Sequence, residues 1–322
     1  MADSKGILTM SDMTALRAHR RGGPEVLVVE PAPIPEPGPG EVLVEVHAAA
    51  ITFDELTWDE TWQRDGADRT PVVPSHEMSG VVAAVADDVT GLAVGDEVYG
   101  LIPFDRDGAA AEYVGVPTAA LAPRPTTVSH VVAAALPLAG LTAWQALHDH
   151  AAVQPGERVL VHGGAGGVGA LAVQLAANAG AEVTATVRSD AHDLVTGFGA
   201  RRVVDARVTP FDGPDSEYDV VIDTVGGETM ERSFDVLRPG GRLVTLSAPP
   251  PAGKAEAFEV DAMFFIVVPD RDQLRHLATL VDQNRLHVQI AATFPLQEGR
   301  EAFDSGRRPG RRAGKTVLTV RD

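Results

Sequence analysis

Two hydrophobic patterns follow one another along the chain and change near residue 130. Before this position, short Val-rich runs such as EVLVEVHAAAI (41–51) are separated by Gly and Pro, which is typical of β-strands joined by turns. After it, apolar runs such as RVLVHG (158–163) alternate with segments of helical spacing. This alternation predicts βαβ units around a buried parallel sheet.

The end of the chain returns to the first pattern. GKTVLTV (314–320) is a strand pattern that we expect to pair with the β-rich part, whereas FFIVVPD (264–270) predicts a further strand after the βαβ units. The sequence therefore predicts an α/β protein with two domains, as expected for 322 residues. One domain is β-rich and comprises 1–130 and 288–322; the other contains the parallel sheet and comprises 131–287.

Composition excludes several classes of protein. The chain has 44% apolar and 22% charged residues, typical of a globular protein, and its apolar runs are too short to span a membrane. The net charge of −18 argues against nucleic acid or an anionic membrane surface as a partner. The sequence has no cysteine, which excludes disulfides, thiolate metal sites and a cysteine nucleophile. Because its first residues lack the pattern of a secretory signal, we expect a cytoplasmic protein.

A glycine-rich loop joins a predicted strand to a predicted helix in VLVHGGAGGVGALAVQLAANAG (159–180). Gly164, Gly166 and Gly169 satisfy the pattern G-x-G-x-x-G in this context. We expect Gly164 to permit a tight turn, Gly166 to let the backbone approach a pyrophosphate, and Gly169 to let helix and strand pack closely. The helix start would then bind phosphates through its free N–H groups. The pattern predicts a dinucleotide site that also includes Ala165, Gly167 and Val168.

The end of the second strand of this unit indicates which dinucleotide is bound. An NAD-dependent unit places Asp or Glu there to bind the ribose hydroxyls. The segment TATVRS (184–189) has no acidic residue, and Arg188 and Ser189 suit a 2′-phosphate instead. Asp190 follows directly but fits the N-cap of the next helix. The sequence therefore favours NADPH over NADH.

Segments along nearly the whole chain carry a family resemblance. They are PEPGPGEVLVEVHAAAIT, VVPSHEMSGVV, VGDEVYG, AEYV, AAALPLAGLTAWQAL, VQPGERVLVHGGAGGVGALAVQLA, DVVIDTVGGETMERSFDVLRPGGRLV and GKTVLTV. The sequence resembles the medium-chain dehydrogenase/reductase superfamily, in its zinc-free quinone oxidoreductase-like branch. The resemblance implies a GroES-like catalytic domain for the β-rich part, a Rossmann doubly wound sheet for the other part, and a nicotinamide cleft between them. It also implies a homodimer.

The resemblance bears on the metal that some members of the superfamily contain. Zinc-dependent members hold a catalytic zinc with Cys, His and Cys, and the aligned positions here are Thr52, His76 and Leu138. A hydroxyl and an isobutyl group do not replace two thiolates, so we expect no zinc. The alternative is a metal site at His76 and Glu77 with other ligands, for which the sequence lacks the usual ligand spacing. Hydride transfer to an acceptor that is already electrophilic needs no Lewis acid, because the resulting anion requires only hydrogen-bond donors and a proton. The expected partner is a small electrophilic acceptor, a quinone or an α,β-unsaturated carbonyl.

Three residues near the expected cleft are candidates for the catalytic step. Thr52 occupies a position where many quinone-reductase relatives carry Asn, so it is either a hydrogen-bond donor or simply a β-branched strand residue. The loop ITFDELTWDETWQRDG (51–66) contains no tyrosine that could donate a proton. The proton would therefore come from solvent, His76 or Asp54. The other interpretation of His76, which we favour, is a hydrogen-bonding residue at the edge of the cleft.

Aromatic residues of the same loop suit a flat, apolar acceptor. We expect Phe53 and Trp58 to bind the substrate; the alternative for Trp58 is packing in the core, to which we assign Trp62. Phe264 and Phe265 resemble the family segment that flanks the nicotinamide. As consecutive strand residues, one should face the cleft and the other the core.

The remaining expected cofactor contacts follow the predicted strands or the resemblance. Val225, Gly226 and Ser247 fall at the carboxyl ends of parallel strands, where ligands bind in such sheets. Thr142 matches a family position near the phosphate next to the nicotinamide.

Basic residues offer little further support for the 2′-phosphate site. Relatives often add Lys and Tyr to that site, but the aligned positions here carry Ala191 and Ala206. Arg312 and Lys315 are interpreted as basic surface residues; the alternative is that they reach the cofactor from the C-terminal strand.

Three hypotheses for the function follow. The first is a zinc-independent NADPH-dependent reductase of quinones or enones. The second is an enoyl-thioester or secondary-metabolite ene reductase, which would need a basic patch that the acidic composition does not suggest. The third is a redox sensor that binds NADPH without turnover, since one fold hosts many functions.

Overall fold

The computed structural model describes residues 12–188, 190–212, 217–308 and 310–321. Ser189, one of the two residues expected at a 2′-phosphate, lies outside the described residues. Two large β-sheets organise this part of the chain. One is mixed and takes strands from both ends of the sequence, and the other is entirely parallel.

Short strands, several of which coincide with Val-rich runs, make up the β-rich part before residue 130. They are β1 (Asp12–Ala18), β2 (Leu27–Pro33), β3 (Glu41–Ile51), the short β4 (Gln63–Arg64) and β5 (Ala67–Asp68), β6 (Glu77–Val85), β7 (Glu97–Leu101), β8 (Tyr113–Pro117) and β9 (Leu121–Pro123). One short helix, α1 (Asp59–Trp62), lies in the loop after β3.

The central strand β3 shows how burial changes along one strand. In its first half, buried side chains such as Val42 and Val44 alternate with partly buried ones, as a sheet with one covered face requires. From Ala48 onward every side chain is buried, because Ala134 and Val317 pack against the face opposite the valines. This doubly covered end of β3 leads directly into the candidate site.

The parallel sheet forms the second part. Its strands are β10 (Arg158–His162), β11 (Glu182–Val187), β12 (Arg202–Asp205), β13 (Tyr218–Asp223), β14 (Leu237–Thr245) and β15 (Asp261–Phe264). Their order is β12-β11-β10-β13-β14-β15, and every adjacent pair is parallel. This is the doubly wound Rossmann order, in which ligands bind where the strand order reverses, between β10 and β13. The predicted α/β fold class is confirmed.

Several of the remaining helices pack on the parallel sheet, whereas the first and the last of them pack on strands of the β-rich part. They are α2 (His130–Ala134), α3 (Pro137–Trp144), α4 (Gly167–Asn178), α5 (His192–Gly197), α6 (Gly227–Ser233), α7 (Lys254–Ala257), α8 (Arg271–Asp282) and α9 (Gly299–Asp304). The segment 131–151, which has helical spacing in the sequence, is divided into α2, α3 and a π-helical turn, Gln145–His150. Pro137 explains the first break, since proline lacks the N–H that a continuous helix needs and fits a first helical position.

Within the described ranges, no helix combines the length and apolar composition needed to cross a bilayer.

The last strands return to the mixed sheet. With β16 (Ile290–Pro295) and β17 (Lys315–Thr319), this sheet has the order β16-β17-β3-β6-β7-β9, and β8 pairs with β3. The two parts of the molecule share one hydrophobic core, where the Tyr99 hydroxyl of β7 donates to the Leu274 carbonyl of α8 at 2.5 Å. Because β17 pairs with the last residues of β3, the C-terminal strand lies at the junction of the two parts.

Two local predictions are wrong. The strand expected over 264–270 ends at Phe264, because Val268 bonds through both its N–H and its carbonyl to the Gln145 side chain instead of to a strand. Asp190 does not cap α5: the N-cap is Ala191, without a side-chain hydrogen bond, and Asp190 lies 3.5 Å from Arg207.

Candidate functional site

Two adjoining cavities lie at the carboxyl ends of the central parallel strands. The larger, about 730 Å³, follows the glycine loop and the end of β13, and we call it the glycine-loop cavity. The second, about 500 Å³, is rich in aromatic side chains, and we call it the aromatic cavity. Thr224 lines both, so the two cavities meet at this residue. Their position agrees with the ligand crevice of a doubly wound sheet.

The glycine loop is shaped by residues that leave no room for a Cβ atom. Gly163 has φ +73°, so it makes the tight turn that we had expected at Gly164. A Cβ on Gly164 would lie 2.8 Å from the Ala185 Cβ, so Gly164 permits loop–strand packing instead. A Cβ on Gly169 would lie 2.2 Å from the Gly163 carbonyl oxygen, which agrees with its expected packing role.

The start of α4 faces the glycine-loop cavity. Gly166 is the N-cap of α4, and Ala165 and Gly166 line the cavity, whereas Gly167 lies against the Lys315 side chain. The N–H groups of a first helical turn have no partner within the helix, and they carry the positive end of the helix dipole. The loop therefore fits the pyrophosphate of a dinucleotide.

Buried Asp223 holds the opposite wall. Its carboxylate accepts hydrogen bonds from the backbone N–H groups of Val225 and Gly226, each at 3.0 Å, and from the Thr245 hydroxyl at 3.0 Å. These contacts fix the turn after β13, where Gly226 has φ +76°. Val225 and Gly226 line the glycine-loop cavity, as expected; the role of Asp223 was not foreseen.

The far end of the glycine-loop cavity is basic. Arg188 lines it at the end of β11, beside Ala206, and is exposed. The nearby carboxylates are engaged elsewhere: Arg207 pairs with both Asp190 and Asp205, and its hydrogen bonds hold the pKa of Asp205 at about 2. Further arginines line the same cavity, namely Arg232, Arg311 and Arg312.

The aromatic cavity has largely apolar walls. Trp58 and Phe104 meet edge to face at 5.3 Å, and Leu138 and Val168 continue the wall. Phe264 and Phe265 both line the cavity, and Phe265 also packs against the core, so the expected division into one cleft residue and one core residue holds only in part. Strict alternation applies only within a strand, and β15 ends between these two residues.

Phe53 does not reach the aromatic cavity. It packs against the core of the β-rich part, and the Arg311 guanidinium lies over its ring at 4.5 Å. The expectation that Phe53 binds substrate is therefore wrong. Trp62 is buried in the same core, as we had assigned it, and Trp58 alone of the loop's three large aromatic side chains lines the cavity.

Thr52 lies at the end of β3 and lines the aromatic cavity beside a buried ion pair. Its hydroxyl oxygen is 3.3 Å from Lys315 Nζ, and Lys315 Nζ is 2.5 Å from Glu77 Oε1. Glu77 Oε2 accepts from the Leu138 N–H at 3.0 Å. Burial raises the pKa of Glu77, and Lys315 opposes this by stabilising the carboxylate. The interpretation of Lys315 as a surface residue is wrong: it is 8% exposed.

His76 lies behind the cavity wall. Its Nδ1 is 3.1 Å from Glu55 Oε2 and its Nε2 is 3.2 Å from the Arg106 carbonyl, while Phe104 packs edge-on against the ring. His76 does not line the aromatic cavity, so the expected direct proton relay is not supported. Asp54 does line the cavity and is exposed.

The other polar residues of the aromatic cavity are partly engaged. The Thr142 hydroxyl donates to the Leu138 carbonyl at 2.6 Å, and Ser247 lies 3.3 Å from the Thr245 hydroxyl. Both line the cavity near Thr224, which is consistent with their expected place beside the nicotinamide end of a cofactor.

The residues at the family's zinc position do not form a zinc site. The Thr52 oxygen accepts from an ammonium, both ring nitrogens of His76 have partners, and Leu138 offers only an isobutyl group. A catalytic zinc needs three protein donors of the thiolate, imidazole or carboxylate type, with water or substrate in the fourth position. Within the described residues, no group of three or more His, Asp or Glu side chains is arranged to hold a metal ion.

Sequence reasoning missed several residues that shape the site. Gly163 directly precedes the recognised glycine pattern, and the consecutive glycines Gly163 and Gly164 were a usable signal in the sequence. Lys315 lies in a matching family segment, but its burial has no signature in sequence. Phe104 and Thr224 carry no pattern that distinguishes them from neighbouring residues.

Two family models match the chain. The model described as "Alcohol dehydrogenase GroES-like domain" matches residues 38–126, and the model described as "Zinc-binding dehydrogenase" matches residues 198–318. The first range contains β3 to β9, and the second contains β12 to β16 and most of β17.

Known proteins resemble the chain over most of its length. The "Probable zinc-binding oxidoreductase, mitochondrial" of Arthroderma benhamiae is 33% identical, over 91% of this chain and 92% of its own. The 2-methylene-furan-3-one reductase of Solanum lycopersicum is 31% identical, over 98% of this chain and 81% of its own. The solved structure of the quinone oxidoreductase from Coxiella burnetii matches with a TM-score of 0.88 and 30% identity, covering 96% of this chain and 100% of that one.

Other relatives are named NAD(P)H oxidoreductases, which supports a nicotinamide cofactor. The glycine loop, the basic cavity and the adjoining aromatic cavity provide a site that fits such a cofactor. On this evidence, the chain belongs to the medium-chain dehydrogenase/reductase superfamily and is an oxidoreductase.

Proposed function

We propose that the protein transfers hydride from NADPH to a quinone or an α,β-unsaturated carbonyl without a zinc ion. The observation that carries this proposal is the aromatic cavity. It meets the glycine-loop cavity at Thr224, its walls are aromatic and aliphatic, and Thr52 presents a hydroxyl to it. Two relatives with related printed activities, a quinone oxidoreductase and a 2-methylene-furan-3-one reductase, add support.

The residues of the aromatic cavity suit an electrophilic ring or enone. Bound NADPH supplies the hydride, and the protein supplies binding, orientation and electrostatics. Trp58, Phe104 and Phe264 offer flat apolar surfaces to the acceptor and exclude water. Thr52 is the candidate donor to the acceptor oxygen, and solvent at the open mouth, where Asp54 lies, is the candidate proton source.

Independence from zinc is supported by the donor groups themselves. The three positions that hold zinc in metal-dependent relatives carry Thr52, His76 and Leu138, and the first two are already hydrogen-bonded within the protein. The proposal therefore requires an acceptor that is electrophilic without a Lewis acid.

The preference for NADPH over NADH is supported by charge. Arg188 lines the glycine-loop cavity where a ribose would lie, and the neighbouring Asp205 is bonded to Arg207.

The acidic composition and the absence of cysteine support a cytoplasmic protein whose partner is a small molecule rather than nucleic acid or membrane.

The charge at the mouth of the aromatic cavity argues against an enoyl-thioester substrate. Asp54 and Glu60 are the charged residues that line this cavity in the described chain, and both are exposed. They would repel the phosphates of a CoA or phosphopantetheine tail. A redox sensor without turnover remains the alternative that an activity assay decides directly.

The test is to follow NADPH absorbance with three acceptors: 9,10-phenanthrenequinone, 4-phenyl-3-buten-2-one and crotonyl-CoA. We expect loss of absorbance with the quinone or the enone, and unchanged rates after treatment with EDTA. Turnover only with crotonyl-CoA would favour the thioester reductase, and tight NADPH binding without turnover would favour the sensor. A metal-dependent rate would contradict zinc independence.

A further inference from the structure

A buried lysine lies directly behind the aromatic cavity. Lys315, the first residue of β17, is 8% exposed, and its ammonium is 2.5 Å from Glu77 Oε1. Glu77 is itself held by the Leu138 N–H at 3.0 Å. A buried ammonium needs a carboxylate partner, because an unpaired buried charge is strongly destabilising. Glu77 therefore fixes the position of Lys315 Nζ against the cavity wall.

The same ammonium reaches the cavity through Thr52. Lys315 Nζ donates to Thr52 Oγ1 at 3.3 Å, and Thr52 lines the aromatic cavity. An ammonium has donors only, so the Thr52 oxygen must accept in this contact and its own proton remains available. Across the described ranges, no protein acceptor takes up this proton. The Thr52 hydroxyl is thus free to donate into the cavity.

We propose that Lys315 is a positioning residue that orients and polarises the Thr52 hydroxyl toward the acceptor oxygen on which negative charge develops. This inference rests on the proposed reductase function. As hydride adds to the acceptor carbon, the electron pair of the conjugated bond moves to the oxygen; the acceptor is reduced, the nicotinamide is oxidised, and solvent supplies the final proton. A hydroxyl that accepts from a cation is a stronger donor, and a donor already aimed at developing charge lowers the barrier.

A second role for Lys315 is geometrically possible and gives the test its contrast. A Cβ on Gly167 would lie 2.7 Å from Lys315 Cδ, so the side chain also passes the start of α4. If Lys315 served the cofactor phosphates instead, its removal would weaken NADPH binding and raise the KM for NADPH. If it acts through Thr52, its removal lowers kcat and leaves that KM nearly unchanged.

The experiment compares Thr52→Val, Lys315→Met, Lys315→Arg and the double variant Thr52→Val/Lys315→Met with the unmodified enzyme, using 9,10-phenanthrenequinone. We expect Thr52→Val and Lys315→Met each to lower kcat by about 10- to 100-fold, with the KM for NADPH changing less than about 3-fold. Lys315→Arg should retain kcat within about 5-fold, because the cation and its donors are kept. The double variant should lose little more than the worse single variant, since both changes remove one interaction.

Removal of Lys315 alone leaves Glu77 buried without its cation. Lys315→Met/Glu77→Gln removes both charges and keeps an oxygen for the Leu138 N–H, so it replaces Lys315→Met if the single variant does not fold. Thermal melting of each variant identifies loss of fold. A loss expressed in the KM for NADPH, or fully additive losses in the double variant, would overturn the proposal.

A readout that needs no turnover separates this inference from the proposed function. The probe is 4-nitrophenol, whose phenolate absorbs visibly and resembles the oxyanion, bound to the complex with NADP⁺ at fixed pH. We expect the bound phenolate fraction to fall about 10-fold in both Thr52→Val and Lys315→Met. Equal phenolate fractions in all variants would refute the inference. If the protein reduces neither quinone nor enone but its variants show the expected fall in phenolate fraction, only the proposed function is refuted.

Discussion

At single residues, charge distinguishes the two cavities of this strongly acidic protein. Despite a net charge of −18, Arg188, Arg311 and Arg312 line the glycine-loop cavity. Arg232 lines it too but is paired with Asp212, and Glu228 is the acidic lining residue in the described chain. The aromatic cavity has no such arginines and carries acidic residues at its mouth. This separation places positive charge where phosphates would bind and leaves the acceptor side to uncharged molecules.

Replacing Arg188 tests the cofactor preference at this scale. We expect Arg188→Ala to raise the KM for NADPH about 10-fold and to change the KM for NADH little, because a charge-assisted hydrogen bond to the 2′-phosphate is lost. Steady-state kinetics with both cofactors measure this. Arg202→Ala, an exposed arginine that does not line the cavity, is the matched control. Equal changes for NADPH and NADH would place Arg188 away from the 2′-phosphate.

Among the elements, the junction of β10 with α4 carries the cofactor geometry. The loop turns at Gly163, packs against β11 at Gly164 and lets α4 approach at Gly169. The three requirements are steric and act within a few residues, so they appear in the sequence as a glycine pattern. Only their assignment to particular glycines needed the structure.

A pair of glycine substitutions tests this junction. Gly169→Ala would bring a Cβ to 2.2 Å from the Gly163 carbonyl oxygen. We expect it to lower the free energy of unfolding by about 1–3 kcal/mol and to weaken NADPH binding, because the loop must move. Gly197→Ala, in α5 with nothing within 4 Å of the added atom, should be neutral or stabilise by up to about 1 kcal/mol. Thermal melting and NADPH titration of both variants provide the comparison; similar losses in both would contradict the steric explanation.

For the whole molecule, one edge of the parallel sheet is open in the described chain. The edge strand β15 and the segment after it expose Met263 (38%), Ile266 (54%) and Val268 (60%). An exposed strand edge with apolar side chains is a template for pairing with another chain. We propose that this edge forms the interface of a homodimer, the state expected from the family resemblance.

Light scattering after size-exclusion chromatography tests the dimer. We expect twice the mass of one chain for the unmodified protein and a shift toward the monomer for Val268→Asp, because a charge would be buried in the interface. Val94→Asp is the control, since Val94 is 65% exposed on the β-rich part and away from this edge. A monomeric unmodified protein, or no effect of Val268→Asp, would contradict the proposed interface.

Side-chain direction in the loop after β3 was the least predictable part of the site. Phe53 and Trp58 are five residues apart in an irregular segment, without the period of a strand or helix that would assign their faces. The structure turns Phe53 toward Arg311 and the core and Trp58 toward Phe104 and the cavity. His76 entered the catalytic set through its alignment with the family's zinc position, and the structure places it behind Phe104.

The sequence by itself determined the parallel sheet, the glycine loop and the absence of thiolate ligands, because these depend on residue type and on spacing over a few positions. Tertiary structure alone decided which side chains meet across the site. Lys315 lies 263 positions from Thr52, and only the return of β17 beside β3 brings its ammonium to that hydroxyl and to Glu77. The strand pattern of 314–320 predicted the return of this segment to the β-rich part, but contacts of this kind also depend on strand register and side-chain direction. No local pattern of hydrophobic and polar residues records which side chains then meet.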